Sequence, residues 1–337
     1  MIYPASTVAC FDPTCGMLPR RKLDPERLRV FLNQLWVAGA ESVLIAASTG
    51  QGHLRTIDEL MEFFVVAAKS APPELQRMGL LRPEDGCEAN AEFLQLLKQL
   101  GYTVAFIRPG NDLGAGCSED KVVEQLQPLV QRASDLSLPV GLYSISDVSG
   151  VSLTASMVDR LVAGPGGDGI VAVKVTEASY EESTLTFLEH PALTHLRIVQ
   201  GWDPHLARAL QDGARKGEQR CGITSGPMSF AIYQYQHILD AASRCDWQEV
   251  EMAQKAVTHL FQSMQDDPAH FADLQRAKYI MGLGHPVVGE VSDNQVARVL
   301  NALRQLQRQA DRDRLSRSLD LMGDGPCHET LQGMIDH

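Results

Sequence analysis

The sequence predicts an α/β fold, a (β/α)8 TIM barrel over residues 1–228 with a C-terminal helical domain over 229–312. Three observations carry this reading. Eight short apolar runs recur within about 225 residues, each followed by a helical or helix-like stretch, which matches a barrel in count and size. No Gly-x-Gly-x-x-Gly follows the first run and nothing marks a topological switch point, which argues against a doubly wound sheet. From Ser229 onward the strand signal stops and only helical periodicity continues.

Taken in order, Ser6–Phe11 reads as the first strand and Asp24–Val37 as the first helix, its apolar positions Leu28, Val30, Phe31, Leu35 and Trp36. Ser42–Ala47 is the second strand. Thr56 caps a helix to about Ser70, with Asp58 and Glu59 in the first turn, where acids suit the helix dipole. Met78–Leu81 is the third strand, with a helix over Ala89–Leu100; Thr103–Ile107 is the fourth, with a helix over Glu119–Ser134. Pro139–Tyr143 is the fifth, and Thr154 caps the helix Ala155–Ala163. Gly164-Pro-Gly-Gly-Asp-Gly169 precedes the sixth strand, so it reads as a turn on the stability face and not as a phosphate loop. Gly169–Val173 is that sixth strand, followed by a weak helix over Tyr180–Leu188. Leu196–Gln200 is the seventh, with a short helix over Pro204–Gln211, and Arg220–Ile223 is the eighth. Helical patterns then cover Ser229–Ala242, Gln248–Met264, Phe271–Met281 and Asp293–Gln309, divided by Pro268 and the Gly282–Pro286 break. Residues 313–337 form a polar tail, its end expected to be loosely held or docked on a partner.

Composition narrows the functional classes. Of 337 residues, 44% are hydrophobic and 21% charged, enough for a large core. A net charge of −12 without a lysine/arginine cluster argues against nucleic-acid or anionic-membrane partners. No apolar run approaches a membrane span, and Met-Ile-Tyr-Pro-Ala-Ser lacks the features of a signal peptide, so a cytoplasmic protein is expected. Seven scattered cysteines, an odd number with no Cys-x-x-Cys, suit reduced thiols. Cys10 and Cys15 have no histidine pair to complete a metal site, and none is expected.

Barrel enzymes place their chemistry at the C-terminal strand ends. Lys174 interrupts the apolar run Gly169–Val175 at such an end. Burial disfavours an ammonium, and a neutral amine condenses with carbonyls to form a Schiff base. The competing account is a lysine whose head reaches water. Tyr143 ends the neighbouring fifth strand, where its phenol is expected to face the same mouth and move a proton. Ala47-Ser48-Thr49-Gly50-Gln51-Gly52 follows the second strand. Its hydroxyls, amides and glycines suit a carboxylate cradle, although a polar turn that needs glycine is the simpler account of the motif alone. The third and fourth strands both end in Arg-Pro. Arg108 is a candidate for an anionic substrate group, with pairing to nearby acids as the alternative; for Arg82 that pairing is favoured. Gly201-Trp202-Asp203 and Gly222-Ile223-Thr224-Ser225 are expected to shape the pocket floor. His53 and His205 have no partner at catalytic or metal spacing.

From about Val8 to about Gln309 these features resemble the dihydrodipicolinate synthase/N-acetylneuraminate lyase family of class I aldolases. Ala47-Ser48-Thr49-Gly50-Gln51 is similar to the family's Gly-[Ser/Thr]-Thr-Gly-Glu loop. Tyr143-Ser144-Ile145-Ser146 with Ser149-Gly150 is similar to its Tyr-Asn-x-Pro-x-x-[Ser/Thr]-Gly, and Lys174 falls where the family has its Schiff-base lysine. The resemblance implies a 2-oxo acid substrate, bound by Ser48, Thr49 and Gly50, with Gly201, Ile223 and Thr224 in the pocket. It also implies Lys174 as nucleophile, Tyr143 as proton-transfer residue, no cofactor beyond the lysine imine, and a homo-oligomer, a dimer or tetramer. Departures qualify it. Arg108-Pro109-Gly110-Asn111 replaces the family's Thr-Pro-Tyr-Tyr, and Val148 stands where dihydrodipicolinate synthases carry an arginine, so that activity is not expected. The expected activity is therefore a Schiff-base aldolase or lyase acting on a 2-oxo acid. The alternatives are a sugar-acid dehydratase or hydratase using the same imine, and a non-catalytic barrel that binds a small acid.

Overall fold

Eight parallel strands close into a barrel in the computed structural model, which describes residues 3–216, 220–264 and 272–335. They are β1 (Ser6–Ala9), β2 (Ser42–Ile45), β3 (Gln76–Leu81), β4 (Val104–Ile107), β5 (Val140–Ser144), β6 (Ile170–Val175), β7 (Arg197–Gln200) and β8 (Cys221–Ser225). Each pairs with its sequence neighbours, and β1 closes the ring against both β8 and β2. The helices between them are α1 (Pro25–Val37), α2 (Ile57–Ser70), α3 (Cys87–Gln99), α4 (Glu119–Asp135), α5 (Ala155–Ala163), α6 (Thr184–Glu189) and α7 (Leu206–Arg215). All eight expected strands are found, most within one or two residues of the expected bounds.

Local chemistry sets several boundaries. Asp24 accepts a hydrogen bond from the Arg27 amide ahead of Pro25, starting α1. Thr56 and Glu59 form a reciprocal capping box at α2, and Thr154 caps α5 through the Met157 amide. The first strand is shorter than expected because the chain leaves the sheet at Cys10. A small antiparallel hairpin, Thr14–Cys15 with Lys22–Leu23, then follows, which the sequence reading missed.

Strand alternation divides the core into two shells. Val173 and Val175 face outward into the helix layer, while Ala172 belongs to the barrel interior with Leu44, Met78, Val104, Phe106 and Val199. Gly141 is required inside, because a Cβ there would lie 2.4 Å from the Phe106 ring. The parity that points Ala172 inward also brings Lys174 into the interior, one step nearer the C-terminal mouth. Tyr143 and Lys174 are direct partners across β5–β6.

Beyond β8 come α8 (Met228–Ser243), α9 (Trp247–Met264), α10 (Ala272–Ile280), α11 (Asp293–Arg304), α12 (Gln309–Leu319) and α13 (His328–Ile335). The expected division at Pro268 and helix start at Phe271 lie outside the described residues. The helical part is tied to the barrel mouth by buried polar contacts. Lys278 donates to one oxygen of Asp12 at 3.1 Å while Arg55 pairs with the other, and all three side chains are fully buried. The Ser229 hydroxyl donates to the Ala9 carbonyl at 3.0 Å.

The tail reading needs correction. Asp293–Gln309 is not one helix but is broken between Arg304 and Gln309, and the polar stretch holds two helices, Gln309–Leu319 and His328–Ile335, the second packed on the first. Leu315, Leu319 and Leu331 are fully buried. Gln234 on α8 donates to Asp311 at 2.9 Å and accepts from Arg314 at 2.6 Å. The stretch looks polar because three leucines, widely spaced among polar residues, carry its buried face.

Candidate active site

The mouth of the barrel holds a cavity of about 60 Å³ lined by Lys174, Tyr143, Ser48, Thr49, Gly201 and Thr224, among others. Six candidate residues, dispersed over more than 170 positions of sequence, thus meet in one place. Lys174 is 3% exposed, and its Nζ lies 4.0 Å from the centre of the Tyr143 ring. Burial pulls the amine down from 10.5 to about 7, opposed by the negative charge of Asp203. The ring face offers partial compensation while the amine is charged. Burial pushes the Tyr143 phenol well above its usual range, with the Thr176 hydroxyl working against the shift. The phenol is therefore protonated at neutral pH.

Gly201 explains how the lysine fits. A Cβ there would stand 2.2 Å from the Thr176 Oγ1 and 3.1 Å from the Lys174 Cε. Ser48 and Thr49 sit in a single turn bracketed by left-handed residues, Ala46 at φ 63° and Gln51 at φ 49°. Gly50 does not line the cavity. It lets the turn pack against β1, where a Cβ would approach the Cys10 carbonyl oxygen to 2.8 Å. Gln51 points away from the cavity and accepts from the Val287 amide at 2.6 Å. Thr224 shares a 2.6 Å hydrogen bond with the Tyr3 hydroxyl.

Two expected pocket residues are elsewhere. Ile223 alternates to the outer face of β8 and packs in the helix layer, because its neighbour Thr224 takes the inward position. Arg108 is 1% exposed and pairs with Glu84, and its Nη1 also donates to the Pro109 carbonyl at 2.8 Å. The acid-pairing alternative holds for it. Arg82 is likewise engaged, donating to the Gly52 and Arg55 carbonyls and to Asp85.

Two groups, Tyr235 and Glu177, escaped the sequence reading as site residues, and Asp203 was expected only as part of the pocket floor. Asp203 lines the cavity, and its Oδ1 accepts from the Ser225 hydroxyl at 2.7 Å and from the Tyr235 hydroxyl. Burial raises its carboxyl from 3.8 to about 6, against those hydrogen bonds and the Lys174 charge. Tyr235 comes from α8, beyond the barrel, and no strand-end rule would find it. Glu177 is buried and clamps the turn after Tyr143. It accepts from the Ser144 hydroxyl at 2.6 Å, the Ser146 amide at 3.0 Å and the Ser146 hydroxyl at 2.5 Å. A glutamate three residues past the lysine, opposite two serines, was the available signal.

His205 contacts the Ala178 carbonyl at 2.8 Å and stands outside the cavity. Among the described residues no group of three His, Cys, Asp or Glu is placed to hold a metal ion, and no helix is long and apolar enough to cross a membrane.

The dihydrodipicolinate synthetase family profile matches residues 129–305, just over half of the 337-residue chain. The chain belongs to that family. N-acetylneuraminate lyase of Escherichia coli strain SE11 is a relative, 26% identical over 243 residues, covering 71% of this chain and 74% of the lyase. Solved structures share the family fold. YagE of E. coli K12, determined with pyruvate, superposes at TM-score 0.74 with 17% identity, covering 90% of this chain and 98% of YagE. A 2-keto-3-deoxygluconate aldolase variant from Sulfolobus solfataricus gives 0.72 with 16% identity, covering 89% and 95%. Dihydrodipicolinate synthase of Aquifex aeolicus gives 0.74 with 15%, covering 91% and 100%.

Proposed function

We propose that this family member is a Schiff-base aldolase or lyase acting on a 2-oxo acid, with Lys174 as the nucleophile. The observation that carries the reading is a buried amine, lowered to about 7, sharing a cavity with a tyrosine and a hydroxyl-bearing turn. At neutral pH a large fraction of such an amine is unprotonated and nucleophilic. Relatives that are lyases and aldolases, and a pyruvate-bound fold neighbour, support the substrate class.

In this reading Ser48 and Thr49 hold the substrate carboxylate through their hydroxyls. The Lys174 nitrogen attacks C2. The C2 oxygen takes up protons, one of them from Tyr143, and leaves as water, so that nitrogen and C2 form an iminium. The C3–C4 bond then breaks. Its electron pair moves into C2–C3 to give an enamine, while the C4 hydroxyl passes its proton to the Tyr143 phenolate and becomes an aldehyde. Tyr143 gives that proton to C3, and water hydrolyses the iminium to release pyruvate and the neutral Lys174 amine, the proton set free restoring the Tyr143 phenol. The iminium itself is the electron sink, so the chemistry is proposed to need no further cofactor. Asp203, close enough to bias the lysine charge, would balance the fixed positive charge of the iminium.

Incubation with pyruvate and borohydride, followed by peptide mass mapping, tests this. The expected result is a reduced adduct on Lys174 whose yield rises with pH around 7. Absence of an adduct under conditions that trap a related aldolase removes the proposal.

A further inference from the structure

The chain leaves β5 just past Tyr143 and enters a single helical turn, Ser146–Ser149. Where the family motif has asparagine and proline, this chain has Ser144 and Ser146. Proline fixes its own φ and carries no amide hydrogen. A serine in its place leaves the backbone freer and adds an amide that needs an acceptor. Glu177 supplies one. Its carboxylate is 7% exposed. One oxygen accepts from the Ser144 hydroxyl at 2.6 Å and the Ser146 amide at 3.0 Å, the other from the Ser146 hydroxyl at 2.5 Å. The Ser144 oxygen in turn accepts from the Leu153 amide at 2.9 Å, which ties the approach to α5 into the same cluster.

Register sets this cluster beside the reacting groups. Ser144 pairs with Val175 one step beyond the Tyr143–Lys174 pair, and the Thr176 amide donates to the Ser144 carbonyl at 2.9 Å. Glu177 is the next residue, so its side chain bridges the ends of the two strands that carry the phenol and the amine. Its charge also reaches the phenol. Burial is the main cause of the raised Tyr143 pKa, and the negative charge of Glu177 pushes the same way. Glu177 does not itself line the cavity. Whatever it contributes to the chemistry passes through Tyr143.

We propose that Glu177 is a positioning residue for proton transfer at C3, holding the backbone on both sides of Ile145 so that the Tyr143 phenol meets the bound substrate in one place. This rests on the Schiff-base reading above and names a residue that serves its proton step. In the pyruvate iminium the Tyr143 phenolate takes a proton from C3. The C–H electron pair becomes the C2–C3 double bond, and the pair of the C2–N double bond returns to nitrogen, giving the enamine. In deuterium oxide the phenol exchanges with solvent and gives a deuteron back to C3. A misplacement of about 1 Å costs such a step roughly 100-fold.

Loss of the pyruvate methyl signal in deuterium oxide, followed by proton NMR above the protein-free rate, reads this step without a second substrate. The full-length protein is used, and borohydride trapping on Lys174 is titrated with pyruvate in parallel. Glu177→Ala is expected to keep its half-saturating pyruvate concentration within about twofold of wild type, yet to exchange roughly tenfold or more slowly. In Glu177→Gln the side-chain oxygen can accept from Ser144 and the Ser146 amide while the nitrogen donates to the Ser146 hydroxyl. That variant should exchange within about threefold of wild type, the remainder being the lost charge. A purely structural role would leave exchange per trap-competent molecule unmoved. Exchange by Glu177→Ala within about threefold of wild type, or a Glu177→Gln variant as slow as the alanine one, overturns the assignment. Should Glu177→Ala not fold, Ser146→Ala, which removes the hydroxyl contact alone, is expected to slow exchange about threefold or more at unchanged trapping, and an unchanged rate overturns it. If pyruvate labels wild-type Lys174 without any exchange, Tyr143 moves no proton at C3, so this assignment falls while the imine stands. If pyruvate does not label Lys174, the underlying reading fails and this one with it.

Discussion

Replacing Lys174 with methionine should make the protein more stable while abolishing imine formation. Methionine is also unbranched and nearly as long, so it keeps most of the packing and removes the charge. The magnitude follows from the amine's shift from 10.5 to about 7. At about 1.36 kcal/mol per unit, burying the ammonium costs on the order of 5 kcal/mol. That shift is already net of the compensating charge of Asp203, and at pH 7 the folded amine has shed about half its proton, so a gain of about 4 kcal/mol at pH 7 is expected. The sign in pH is fixed. Between about 7 and 10.5 the unfolded chain holds a proton on Lys174 that the folded chain has shed, so wild-type stability gains from raising pH. The penalty is complete below about 7 and vanishes near 10.5. The gap between Lys174→Met and wild type should therefore shrink by about 1.4 kcal/mol per pH unit from pH 7 to 9.5. Urea unfolding of both proteins at half-unit steps measures it. A methionine variant no more stable than wild type at pH 7, or a gap that does not change with pH, would refute the picture of a desolvated lysine.

Tyr143→Phe should still be trapped by pyruvate and borohydride, because the nucleophile is intact, while turnover falls by roughly 10²–10⁴-fold from the loss of proton transfer. Steady-state rates and adduct yield, measured together, separate these effects. Arg108→Met should leave the pyruvate concentration for half-maximal trapping within about twofold of wild type, yet destabilise the fold by about 3 kcal/mol, because Glu84 is left without its partner; trapping titrations and urea unfolding check the two halves.

Different parts of the site were legible to different degrees. Lys174 announced itself as a charge in an apolar strand, and Tyr143 could be placed beside it because parallel barrel strands run in sequence order. Arg108 shows where strand-end logic stops. The sequence puts a guanidinium at the mouth, but Glu84, 24 residues earlier, decides which way it turns. Ile223 and Thr224 were both expected in the pocket, although adjacent strand residues face opposite ways. In a five-residue strand without strict polar alternation, Ile223 and Thr224 are equally plausible as the inward residue until the neighbouring strands set the parity. Gly50 was read as part of the cradle, and the structure adds a packing reason for glycine there, since a Cβ would crowd the Cys10 carbonyl.

The sequence by itself determined the barrel, the order of its strands and the candidate nucleophile, because apolar period, strand count and one charge in an apolar strand are local properties of the chain. Only the tertiary structure decided the environment that tunes that nucleophile and the shape of the space above it. Asp203 acquires its raised pKa from burial and its orientation from Tyr235, 32 residues away on a helix outside the barrel. Phe261 and Leu274 come to the mouth because α9 and α10 fold back over it, guided in part by the buried Lys278–Asp12 contact. Desolvation and pocket polarity depend on everything that packs around a group, including residues hundreds of positions away, and no window of sequence contains them.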